Sequence, residues 1–125
     1  MNPKQESERF LSLAYADRDA CIALTQAKGI LPHIICFHVQ QAIEKILKAV
    51  MLSHEIPFRR THDLSECALL LQDIGLTLPI SVEQLAYLTP YAVIGRYGGI
   101  EDDIIAIDEA MEMMDLIFQW ASDYL

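Results

Sequence analysis

Apolar residues recur along most of this chain at three- and four-residue intervals, the period of a helix with one buried face. The longest such stretch runs from Phe37 to Met51, FHVQQAIEKILKAVM. On a helical wheel Ile35, Val39, Ala42, Ile43, Ile46, Leu47 and Val50 form one broad apolar face. Gln40, Gln41, Glu44, Lys45 and Lys48 take the opposite arc, with Phe37 among them. Glu44 and Lys48 stand four residues apart with the acid N-terminal, the favourable order for a helical ion pair. Two readings of the arc follow. It is a solvated, salt-bridged stripe, or it meets a second subunit or lines a site.

The flanking segments carry start and stop signals. Asn2-Pro3 predicts a cap followed by proline at the first helical position, and a first helix running to about Lys28 before Gly29. Phe10, Leu13, Ala14, Ala20, Cys21 and Leu24 form its apolar stripe, with Asp17 in the middle of it. A carboxylate there needs a partner or water, so Asp17 is expected to pair with Lys45, Lys48 or Arg96. Ile30 to Pro32 turns the chain into the second helix, which ends near His54 before Ile56-Pro57. Asp63 with Glu66 predicts a capping box for a third helix ending at Gly75. Ser81 with Gln84 predicts another for a fourth, broken near Thr89 by Pro90. Glu101, Asp102 and Asp103 suit the positive end of a last helix. Its apolar face is Ile107, Ala110, Met111, Met114, Ile117, Phe118, Ala121 and Tyr124. No segment alternates convincingly as a strand. The fold expected is all-α: an up-and-down bundle of four to five helices in a single domain, residues 1–125.

Composition narrows the class. With 125 residues, 53% hydrophobic and 22% charged, the chain is long enough for a core and is not of disordered type. Neither a membrane span nor a signal peptide is legible, and Cys21, Cys36 and Cys67 lack close metal-ligand spacing. A cytoplasmic protein with reduced, buried thiols is expected. The net charge of −9 argues against long nucleic acid. Lys45, Lys48, Arg59 and Arg60 nevertheless lie close together in sequence, a region sized for a phosphate or an acidic partner. Beyond Tyr97 there are eight acids and no lysine or arginine. No phosphate-binding glycine loop, zinc motif or activated nucleophile is recognisable, so no cofactor, metal or catalytic residue is assigned.

The blocks FHVQQAIEKILKA, THDL and YAVIGRYG, in that order, resemble the HEPN family, small helical-bundle proteins of bacteria and archaea. The resemblance covers roughly Asp17 to Tyr97. It rests on Phe37, Gln40, Gln41, Glu44, Lys45, Lys48, His62, Asp63, Leu64, Tyr91, Arg96 and Tyr97, and Asp17 matches an acid of the family's first helix. It implies a homodimer, often encoded beside a minimal nucleotidyltransferase in toxin–antitoxin-like systems, with a role in binding nucleotides or a partner's substrate. Two positions depart from the pattern. Gly98 stands where a proline follows Arg-Tyr, and no histidine follows Arg59, Arg60 or Arg96 by four to six residues, so the ribonuclease motif of that family is absent.

The expected function is that of a noncatalytic dimeric module binding a nucleotide or assisting a partner nucleotidyltransferase. The alternatives are a metal-independent ribonuclease toxin and a purely structural interaction protein. The candidate anion or nucleotide site comprises Asp17, Gln41, Glu44, Lys45, Lys48, His62, Arg96 and Tyr97. In it arginine would take phosphate and tyrosine would stack on a base.

Overall fold

A computed structural model of the chain describes residues 2–92 and 106–125. Asn2 and Gln5 cap α1, Pro3–Gln26, reciprocally, and Gly29 follows with a left-handed φ of 78°. α2 spans Pro32–Ser53, with its proline in the first turn. α3 is Leu64–Asp73 and α4 is Val82–Leu88, the latter opened by the Ser81–Gln84 capping box. At Pro90 the α-helix gives way to a 3-10 turn, Thr89–Ala92. α5 is Ile107–Ser122. The described residues contain no strand, and the fold is an all-α helical bundle. The expected acidic start of the last helix, Glu101 to Asp103, lies outside the described residues.

α2 is the axis of the bundle. Its predicted apolar face is buried, and so are Cys36, Ala49 and Met51. α1 and α5 pack along it, and the 3-10 turn and α3 close another side. α1 runs antiparallel to α2. Ser7 Oγ donates to the carbonyl of Ala49 at 2.8 Å, and Asp17, farther along α1, meets Lys45 and His38, earlier on α2.

The buried residues of α1 are Ser7, Ala14 and Cys21, small side chains spaced by seven. Ala14 and Cys21 belong to the predicted stripe, and its other four members lie to one side of the contact. Leu13 is exposed, and Phe10, Ala20 and Leu24 are half-buried. Small residues allow two helices to approach closely, and the larger apolar side chains flank the seam. Asp17 likewise lies not in the middle of the contact but at its margin, where α2 supplies partners.

One further expectation is corrected. Asp63 caps α3 through the Ser65 amide at 2.9 Å, but Glu66 does not complete a capping box, because its carboxylate is engaged by Arg59 at 2.7 Å. The C-terminal apolar cluster is largely absorbed by the chain itself. Met113, Met114 and Phe118 are buried, with Met111 and Trp120 partly covered. Tyr15 packs edge-on against Phe118, and Arg18 lies over the same ring.

Candidate functional site

The polar arc of α2 is not a wet stripe. Gln40, Glu44 and Lys48 are buried beneath the connection leading into α3, while Gln41 and Lys45 are half-buried on the open side. Two carboxylates organise these residues into two centres.

The inner centre is built on Glu44. Its Oε2 accepts from Lys48 Nζ at 3.1 Å. Its Oε1 accepts from Gln40 Nε2 at 3.1 Å and from His62 Nδ1 at 2.8 Å. The same residues of α2 hold the connection's backbone. Lys48 donates to the carbonyl of Thr61 at 2.6 Å, and Gln40 to that of His62 at 3.1 Å. Lys48 also lies over the Phe58 ring, 5.7 Å from its centroid. Burying three polar side chains is tolerable because each finds partners. His62 itself is open: its side chain is 64% exposed, against 5% for Glu44. An ionised carboxylate only accepts, so the shared hydrogen sits on His62 Nδ1, and Nε2 is the ring nitrogen left on the exposed side.

The outer centre is built on Asp17. Oδ2 accepts from Lys45 Nζ at 2.5 Å, and Oδ1 is 3.1 Å from His38 Nδ1. The His38 ring stands edge-on to Phe37. Gln41 joins the inner network by donating to Gln40 Oε1 at 2.6 Å. His38, Gln41 and Lys45 share one face of α2, and Phe10, Leu13, Ala20 and Leu24 of α1 belong to Asp17's side of that helix.

Of the eight candidates, Glu44, Lys48, His62 and Gln41 therefore form one network, and Asp17 and Lys45 form a pair beside it. Arg96 and Tyr97 lie outside the described residues. Asp17 takes the first of its three expected partners. His38 and Gln40 also belong to these centres but were not among the candidates. The i, i+3, i+7 spacing of His38, Gln41 and Lys45, and the i, i+4, i+8 spacing of Gln40, Glu44 and Lys48, were the signals that could have found them. Ion pairing also changes the electrostatics. Lys45 and Lys48 are committed to carboxylates, and Arg59, though 73% exposed, is paired with Glu66. Arg60 is exposed at the edge of the site.

Among the described residues no group of three or more His, Cys, Asp or Glu is placed to hold a metal ion. No helix there is long and apolar enough to cross a membrane. The three cysteines are free and buried, and burial pushes the thiols of Cys21 and Cys67 up to about 12 and that of Cys36 to about 11. Such thiols are poor nucleophiles. An open cavity of about 520 Å³ lies elsewhere, lined by Pro3, Ser7, Leu11 and Leu52 among others. It includes none of the candidate residues.

A family model described as HEPN domain matches residues 7–124. Neither the curated proteins nor the solved structures contain a match.

Proposed function

The chain belongs to the HEPN domain family, and from that premise we propose that it is a noncatalytic binding module that works as a homodimer. Its ligand is a nucleotide, or the substrate of a partner such as a minimal nucleotidyltransferase, in the manner of a toxin–antitoxin pair. The observation that carries this reading is the Glu44 centre. Three buried polar side chains of α2 are spent on holding one exposed imidazole and the backbone beside it. Gln41, Lys45 and His62 would line the open face, and Asp17, Glu44 and Lys48 would set their positions. Arg60 and Arg96 would supply charge for phosphate, and Tyr97 a surface for a base.

The partly covered apolar residues beside Asp17 suit an isologous contact over α1 and α2. Light scattering at micromolar concentration checks this: a dimer is expected, and a monomer overturns it. Calorimetry with ATP and GTP, on the wild type and on Arg96→Ala, tests the ligand. Heat with at least one nucleotide, reduced in the variant, is expected. A folded dimer that gives no heat with either removes the nucleotide reading.

The Glu44–His62 pair also favours a second reading, a metal-independent ribonuclease with His62 as its acid–base group. RNA cleavage that is lost in His62→Ala would establish it in place of the first.

A further inference from the structure

The described histidines differ in which nitrogen they leave open. His54 engages Nε2, 3.2 Å from the Tyr124 carbonyl. His38 engages Nδ1, but its ring is largely covered beside Phe37. His62 combines an engaged Nδ1 with an exposed ring, and its orientation is enforced from below. Glu44 cannot swing away, because Lys48 and Gln40 hold the same carboxylate. The backbone cannot drift, because those two side chains also hold the carbonyls of Thr61 and His62. These two bonds already fasten the connection to α2. The additional use of a buried carboxylate on the ring governs which ring nitrogen faces out.

We propose that His62 is a phosphoryl-acceptor histidine. The Nε2 lone pair attacks the phosphorus of an activated donor of the phosphoramidate class. An Nε2–P bond forms as the donor's P–N bond breaks, and the donor's protonated nitrogen leaves as ammonia with the bonding pair. The substituted ring keeps its Nδ1 hydrogen and gains a positive charge. Glu44 faces that charge at hydrogen-bond distance and stabilises it, which makes Glu44 a positioning residue for the transfer. Arg60, exposed and two residues before His62, gives the incoming phosphoryl oxygens local positive charge on a chain whose net charge is −9, while Arg59 is already paired with Glu66. Other charged groups near the pair are Lys48 on α2 and Asp63 and Glu66 at the start of α3. The inference uses the same residues as the proposed binding site but does not require a nucleotide to bind there.

The test treats the native full chain with potassium phosphoramidate and maps acid-labile phosphoryl groups by mass spectrometry. His62 is expected to react first, about tenfold faster than His33, His38 or His54, the effect of stabilising one developing charge by a single good hydrogen bond. The advantage should vanish when the chain is unfolded in urea, a comparison that needs no variant. Glu44→Gln should slow His62 and leave the other histidines unchanged, and His62→Gln should remove the dominant product. Equal labelling of all four histidines in the native chain, or His62 among the slowest, overturns the proposal. Calorimetry with ATP reads the binding proposal separately, so the two fail independently.

Discussion

Glu44 and His62 are 18 residues apart in the chain and 2.8 Å apart in the fold, with one side chain buried and the other mostly in solvent. The contact ties α2 to the connection before α3, and it depends on Lys48 to balance the carboxylate. Removing one partner of a buried pair leaves an uncompensated charge, which costs about 3–5 kcal/mol.

Lys48→Met is therefore expected to destabilise the chain by that order, and Glu44→Gln to be milder because an amide keeps a hydrogen-bonding acceptor. Lys45→Met should cost less, about 1–2 kcal/mol, because the Asp17–Lys45 pair is less buried than Glu44–Lys48 and His38 still faces Asp17. Urea midpoints of the three variants check the ranking. Equal losses for Lys45→Met and Lys48→Met would contradict it.

The difference between the two lysines was not legible in the sequence. Both lie on the polar arc opposite the Val39–Ile46 face, and a wheel cannot know that the 56–63 connection folds back over Gln40, Glu44 and Lys48. Helix identity was far more readable, because Asn2-Pro3, Ser81 with Gln84, and Gly29 and Gly75 act locally. The stripe of α1 was right at Ala14 and Cys21 and too broad elsewhere, for a related reason. Hydrophobicity drew attention to Leu13 and Leu24, whereas close approach to α2 selects small residues. Within the candidate site the α2 residues were visible as a pattern. The bond from His62 back to Glu44 crosses a loop, and no spacing rule reports it.

The small-residue seam makes its own prediction. Ser7→Ala should cost about 1 kcal/mol, the worth of its bond to the Ala49 carbonyl. Ala14→Leu should cost about 1–3 kcal/mol, because added methylenes must push α1 away from α2. Leu13→Ala should cost less than Ala14→Leu, because Leu13 lies beside the seam and is 37% exposed. Thermal melts of the three variants check the order. A Leu13→Ala loss exceeding that of Ala14→Leu would mean that Leu13, not Ala14, sits at the close contact between α1 and α2.

At the start of α3, Asp63 and Glu66 were expected to act together and do not. Asp63→Ala should cost about 1 kcal/mol, the usual worth of an N-cap. Glu66→Ala should lie within about 0.5 kcal/mol of wild type, since its partner Arg59 is largely in solvent. A double-mutant cycle with Arg59→Ala measures that pair directly, and a coupling larger than the cap's effect would reverse the assignment.

The buried cysteines predict how stability responds to alkaline pH. Folding raises the thiols of Cys21, Cys36 and Cys67 from 9.0 to about 12, 11 and 12, chiefly because burial disfavours the thiolate. Between the unfolded and folded values the native chain holds protons that the unfolded chain has released. The unfolded state then binds fewer protons, so the free energy of unfolding falls as pH rises. This contribution is fully present below pH 9 and is lost progressively through the folded values. Each thiol adds at most about 1.4 kcal/mol per pH unit to the slope. Urea midpoints at neutral pH and near pH 10 should therefore diverge in the wild type and diverge less in Cys67→Ala, whatever the alanine costs at neutral pH. Cys67 is the best position for this test, because it lies on the buried face of α3, away from the α1–α2 seam where Cys21 sits. An unchanged pH slope in Cys67→Ala would mean that this thiol ionises as readily in the native chain as in the unfolded one.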